Sequence, residues 1–193
     1  MFFQVGAGFH LEQEFSFKDL LIVDCSEGIE LIDNDPHVWL SPQNVKLIVK
    51  HITKTLTRLL PQKTKYFEMN AESYSKQVDS AYNKIKSDFS SAKNRQVFVY
   101  HNAWNYLARD LDLIVHDIEH GGKKPNLGDI DEHIKKGKNQ SVKIIYADSN
   151  LSSKSAEMIA NELNAKIEFI NPLPSNYLEN LKDVAKKFGM VLN

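Results

Sequence analysis

One cysteine, Cys25, occurs in 193 residues, so neither an intrachain disulfide framework nor a cysteine-rich zinc site can be built. A lone cysteine reads as a small buried hydrophobe. No run of about 18 apolar residues occurs, so no segment reads as a membrane-spanning helix and direct membrane insertion is not expected. The N-terminus, Met1-Phe2-Phe3-Gln4-Val5-Gly6, has no basic region and too short an apolar run for an export signal. An excess of one charge is missing as well: 24 Lys and Arg stand against 25 Asp and Glu, interspersed and with no single-sign tail. That balance argues against generic nucleic-acid binding. Internal repeats and low-complexity segments are absent. So are a nucleophile elbow, a zincin helix pair and a Cys/His pair, which removes the common hydrolase signatures.

What is present is an ordinary globular composition, 42% hydrophobic and 25% charged, long enough to bury a core without staples. Phe2–Val5 and Leu20–Val23 read as short buried strands, the second ending in the turn-like Asp24-Cys25-Ser26-Glu27-Gly28. Ser41 is a good N-cap and Pro42 a good first helical residue. Val45, Ile48, Val49, Ile52, Leu56, Leu59 and Leu60 then recur at helical spacing until Pro61. The stretch from about Thr64 to Lys93 has no Gly or Pro and predicts a helix of about 25–30 residues, long against the average for globular proteins.

Beyond it the pattern alternates. Strands are predicted at Val97–Tyr100, Leu113–Ile118, Lys143–Ala147 and Lys166–Ile170. Helices are predicted at Ala103–Leu111, Asp129–Lys136 ended by Gly137, Ser153–Leu163, and Tyr177–Phe188 ended by Gly189. Alternation of this kind implies an α/β fold with a parallel sheet covered by helices, in which ligands bind beyond the C-terminal strand ends.

Seven histidines are candidates for chemistry: His10, His37, His51, His101, His116, His120 and His133. Position separates them. His37 follows Asp35-Pro36 in a tight loop before the capped helix. His101 stands directly after the strand Val97–Tyr100. Each has a tryptophan nearby, Trp39 and Trp104, and an apolar surround restricts water around an imidazole, the commonest metal ligand. His51 sits among lysines on a helix and reads as solvated. Glu119 and His120 open a glycine-rich loop, Ile118-Glu119-His120-Gly121-Gly122-Lys123-Lys124-Pro125, that reads either as a surface loop or as a lid. It lacks the ending of a phosphate loop. Asp148-Ser149-Asn150 follows a strand at the same sheet edge as His101 and either orients a ligand group or caps the helix at Ser152 or Ser153. His116, His120 and His133 also form a loose, weak metal-binding set.

Asp35-Pro36-His37-Val38-Trp39-Leu40-Ser41-Pro42 resembles the DPHxWLSP motif of the cluster A-I solute-binding proteins. Val99-Tyr100-His101-Asn102-Ala103-Trp104-Asn105-Tyr106, the loop at Ile118–Pro125, Ser152-Ser153-Lys154, Asn171-Pro172-Leu173 with Tyr177–Leu181, and Gly6-Ala7-Gly8-Phe9 continue the resemblance over essentially the whole chain. The resemblance implies two α/β lobes joined by one long rigid helix, with metal bound between them. On this chain that means an incomplete N-terminal lobe at 1–41, a helical spine at 42–93 and a C-terminal lobe at 94–193. It implies a periplasmic, non-catalytic receptor that delivers its metal to the membrane permease of an ATP-binding cassette importer. The matched ligand positions are His37 and His101, with His120, Glu119 or Asp148 as further donors. Zinc is expected ahead of manganese, because neutral nitrogen ligands suit it better.

Three departures from the family pattern bear on this. The family's first histidine ligand lies upstream of Gly6-Ala7-Gly8, in roughly 70 residues that would complete a lobe, so the resemblance is to an N-terminally truncated member. The exposed edges of its partial lobe are expected to be covered by homo-oligomer formation. A late acidic ligand position carries Asn171, and the acid after the strand-end histidine is replaced by Asn102. Two alternatives follow: a family member without high-affinity capture, acting as a structural or interaction module, and a metal-dependent hydrolase using the same histidines with Asp148.

Overall fold

A computed structural model describes residues 1–5, 21–119, 123–148 and 154–192. The expectations placed on Gly6-Ala7-Gly8-Phe9, His10, His120, Ser149-Asn150 and Ser152-Ser153 lie outside the described residues. The chain divides into two compact units, Met1–Lys84 and Ile85–Asn193.

In the first unit, β1 (Phe2–Gln4) and β2 (Ile22–Asp24) pair in parallel, Phe2 opposite Ile22. The next residue, Cys25, is fully buried, as a small hydrophobe would be. Burial, with the neighbouring Asp24 charge, pushes its thiol pKa up to about 11, so it stays protonated and inert at neutral pH. A 3-10 turn at Val38–Leu40 leads into α1 (Pro42–Leu59). Ser41 caps that helix by accepting from the backbone N–H groups of Gln43 and Asn44, at 3.1 and 3.0 Å, so two otherwise orphaned donors are satisfied. A second 3-10 turn, Pro61–Lys63, connects to α2 (Thr64–Asp88), whose 25 residues run across the division between the units. The Lys46 ammonium of α1 meets Asp79 of α2 at 2.7 Å. The length of α2 falls within the expected range of about 25–30 residues; the helix stops at Asp88, where Ser90 turns the chain by donating its N–H and its hydroxyl to Ser87 O.

The second unit is a four-stranded, all-parallel sheet in the order β4-β3-β5-β6, formed by β3 (Gln96–Val99), β4 (Ile114–Asp117), β5 (Ile144–Asp148) and β6 (Lys166–Ile170). The intervening helices are α3 (Asn105–Leu111), α4 (Leu127–Asn139), α5 (Lys154–Leu163) and the terminal α6 (Tyr177–Leu192). Strand side chains alternate between faces. Phe98, Tyr100, Ile145 and Ala147 therefore pack with Ile130 of α4 and with Ala156, Ile159 and Ala160 of α5. On the other face Tyr146 meets Phe188 of α6 edge-on at 5.0 Å, and Trp104 meets the same ring at 5.9 Å. The Tyr146 hydroxyl donates to Lys187 O at 2.5 Å, and its burial raises its pKa well above the ordinary phenol value. His116, on β4, stacks on Phe98 and donates Nε2–H to Gln96 Oε1 at 2.8 Å. Among the described residues no helix is long and apolar enough to cross a membrane.

The two glycines expected to end helices do not. Gly137 lies inside α4 and Gly189 inside α6. Gly137 is a packing residue: a Cβ there would stand 2.5 Å from Leu163 Cδ1 of α5. The helix ends that lead into strands use other residues in the left-handed conformation, Asp112 (φ 55), Ser141 (φ 53) and Asn164 (φ 50). Around Ser141, its N–H reaches Lys138 O at 3.1 Å and the Val142 N–H reaches Gly137 O at 3.0 Å. This is the paired bonding of a Schellman motif with the apolar residue following it. The N-terminus of α4 is earlier than predicted, at Leu127, because Asn126 and Asp129 close a reciprocal capping box.

Ser141→Gly removes the side-chain cost of the left-handed backbone and should stabilise the protein by about 1 kcal/mol. Asn164→Gly should gain less, because asparagine tolerates that conformation. Equal or opposite shifts in urea midpoint would contradict this. Burial lowers the His116 pKa below its ordinary value, with Lys136 acting in the same direction and Asp117 against it. The folded state thus favours neutral imidazole. Its stability is intact above the unfolded-state pKa of about 6.5 and is lost as pH falls through the lower folded-state value. The urea midpoint should fall between about pH 7.5 and pH 5, and fall less in His116→Gln; identical slopes would contradict the assignment.

Candidate metal site

In the first unit the site begins with Asp35, buried at 7% exposure. One of its oxygens, Oδ1, accepts both the backbone N–H of His37 at 2.9 Å and the ring Nδ1–H at 2.6 Å. A carboxylate offers only acceptors, so in the neutral ring the proton sits on Nδ1 and the lone pair on Nε2. Pro36 restricts the backbone between the two residues. Trp39 lies edge-on to the imidazole at 5.3 Å. The 3-10 turn that follows is tied to α1 by Asn44 Nδ2, which donates to Val38 O at 3.0 Å. The DPHVWLSP segment thus presents one imidazole, in one tautomer, from a loop locked to a capped helix.

In the second unit His101 follows β3, and its Nδ1–H donates to Glu119 Oε2 at 2.8 Å. Register explains this partner. β3 and β4 pair with Val99 opposite Asp117, and the ladder continues through the Glu119 N–H, which donates to Tyr100 O at 2.9 Å. One residue further, His101 stands opposite Glu119. On the other side β3 pairs with β5, Val99 opposite Tyr146, so the same offset brings Asp148 to the level of His101. The sheet order reverses direction between β3 and β5, which makes this row of strand ends the topological switch point, the usual ligand crevice of an open α/β sheet. Glu119 and Asp148 are both buried.

The predicted residues are thus placed as follows. His37 pairs with Asp35 in the first unit, His101 pairs with Glu119 in the second, and Asp148 shares the row of His101. His120 lies outside the described residues. His116 is turned to Gln96 and Phe98, and His51 lies half-buried on α1. Among the described residues no three His, Cys, Asp or Glu side chains converge as a metal-holding cluster; the loose set of His116, His120 and His133 includes a residue outside them. Asn171 is occupied structurally: its Oδ1 accepts from the Leu173 N–H at 2.8 Å, and its carbonyl from Asn180 Nδ2 at 2.9 Å. Sequence reasoning overlooked Asp35 as a partner of His37, although an acid two residues before a histidine is a visible signal for such a turn. A buried acceptor, Asn102 Oδ1, next to His101 has no hydrogen-bond partner.

Comparison with known proteins identifies the family and the fold. The sequence profile of the ZnuA family, "Zinc-uptake complex component A periplasmic", matches residues 1–189. The zinc-binding lipoprotein AdcA of Streptococcus pneumoniae is 33% identical over 155 residues, which are 77% of this chain and 30% of that protein. A Treponema pallidum protein named for metal binding is 30% identical over 155 residues, 77% of this chain and 49% of its own. The chain therefore spans half or less of the length of these relatives. A crystal structure of ZnuA superposes with a TM-score of 0.90 at 27% identity, covering 96% of this chain and 78% of that one. A zinc-bound ZnuA deletion mutant gives 0.88 at 28% identity, with 96% and 76% covered. With its parallel α/β architecture and its profile match over nearly every residue, the chain belongs to the ZnuA family of cluster A-I metal solute-binding proteins.

Proposed function

We propose that this chain is a non-catalytic receptor that captures a divalent metal ion, zinc in preference to manganese, outside the cytoplasmic membrane. It would pass the ion to the membrane permease of an ATP-binding cassette importer. The observation that carries the reading is the matched treatment of His37 and His101. Each imidazole gives Nδ1–H to a buried carboxylate, at 2.6 and 2.8 Å, so Nε2 is the metal-binding atom on both. This is the carboxylate–histidine–metal arrangement, in which the carboxylate fixes the tautomer and orientation of the ring.

In this reading His37 and His101 are ligands, and Asp35 and Glu119 are positioning residues. A zinc site with three protein ligands needs one more donor. Asp148, level with His101, and His120 are the candidates, and Asp148→Asn and His120→Ala tell them apart. Zinc is favoured because imidazole nitrogen suits a borderline-soft ion better than manganese. The names of the relatives, zinc-binding lipoprotein and zinc-uptake component, support the same choice. Binding without turnover is proposed because the matching family is a zinc-uptake component and the relatives are named for zinc binding.

Calorimetric titration of metal-free protein at neutral pH tests the proposal. Zinc should bind one to one and more tightly than manganese, and the affinity should fall at acidic pH as protons compete for the ligands. His37→Ala or His101→Ala should each abolish tight binding. Glu119→Gln should weaken it by about 10–100-fold, the range for loss of an outer partner. If zinc fails to bind, or binds unchanged in the histidine variants, the receptor reading falls. The chain would then retain the family fold as a structural or interaction module.

A further inference from the structure

The charge of this chain is balanced overall but not locally. Residues 36–67 carry six of the 24 Lys and Arg, namely Lys46, Lys50, Lys54, Arg58, Lys63 and Lys65, and none of the 25 Asp and Glu. Four of the six recur every fourth residue along α1, so they form one row on its surface. Lys46 is paired with Asp79. Among the described residues no ion pair engages the other five, and all five are exposed. The first acid beyond them is Glu68, which with Glu72 lines the same groove as Lys46, Lys50 and Lys54, whereas Arg58, Lys63 and Lys65 lie outside that groove.

The row runs toward the turn between α1 and α2, where the exposed residues change character. Leu59, Leu60, Tyr66 and Met69 are 44%, 39%, 63% and 59% exposed, all within twelve residues of sequence and flanked by Arg58, Lys63 and Lys65. Pro61 and the 3-10 turn hold this tip in a fixed shape. An exposed apolar cluster rimmed by cations marks an interaction surface. Five of the six cations are lysines, compact point charges suited to a diffuse negative field, whereas paired carboxylates are better met by arginine forks. Leucine, methionine and tyrosine at the apex supply an apolar wedge with a polar aromatic at its edge, the composition of an interfacial membrane anchor.

We propose that the α1–α2 tip docks on an anionic lipid surface, with Leu59, Leu60, Tyr66 and Met69 entering the headgroup boundary and Arg58, Lys63 and Lys65 facing the lipid phosphates. The contact is peripheral and reversible. It is independent of metal capture, so either can fail without the other.

The test is co-sedimentation of the full 193-residue chain with vesicles of phosphatidylcholine alone and of phosphatidylcholine mixed with phosphatidylglycerol. The protein should partition onto the mixed vesicles only. Each cation near a charged bilayer contributes about 1 kcal/mol, about fivefold in partitioning. The combined Arg58→Glu, Lys63→Glu and Lys65→Glu variant should therefore lose at least roughly a hundredfold. Tyr66→Ser with Met69→Ser should weaken binding on the same vesicles. All five positions are exposed, and circular dichroism checks that the variants fold. High salt should release the wild-type protein, since it shortens the range of the attraction. Equal binding to neutral vesicles, no binding to either, or binding unchanged in the charge-reversal variant would overturn the proposal. So would retention on immobilised polyglutamate without partitioning onto vesicles, which would reassign the surface to an acidic protein.

Discussion

Two parallel strands keep one sequence offset along their length, and the chemistry of the second unit hangs on that constancy. The offset is 18 residues from β3 to β4 and 47 from β3 to β5, as Phe98 opposite His116 and opposite Ile145 show. Carried past the strand ends, it sets His101 between Glu119 and Asp148 at the switch point of the sheet. Hydrogen-bond geometry holds the row: a slip of one residue would turn every side chain to the other face. It would also put Tyr100 out of the core it shares with Phe98, Ile118 and Ile159.

The first unit reaches a similar local arrangement by a different route. There the carboxylate comes from two residues upstream, and a proline, a 3-10 turn and a serine cap replace the register of a sheet. A buried carboxylate is costly unless it is hydrogen-bonded, and in each unit the imidazole is one of the groups that satisfies it. Each pair therefore holds its own geometry with no ion bound. An ion would meet imidazoles already oriented through Nδ1, which lowers the ordering needed on capture.

Much of this was legible in the sequence. The Ser41-Pro42 start, the apolar period through α1, the long uninterrupted α2 and the strand-helix alternation after Gln96 all carried their structural meaning locally, and so did the positions of His37 and His101. The exceptions involve information that is not local. Gly137 read as a stop, but its lack of a Cβ serves the approach of Leu163 from another helix. Ser141 did not read as a stop because serine seldom adopts φ 53. The pairing of Glu119 with His101 depends on strand register, and no spacing rule for a single segment contains it. The cation row of α1 was in plain view but vanished in a charge count taken over the whole chain.

Both histidines offer Nε2 because carboxylates hold Nδ1. Nitrogen-15 chemical shifts of the imidazole rings during zinc titration test it directly. His37 and His101 should carry their proton on Nδ1 before metal is added, and zinc should then move the Nε2 resonance of each while the Nδ1–H signal persists. Coordination through Nδ1, or rings that ignore zinc while other histidines respond, would contradict it.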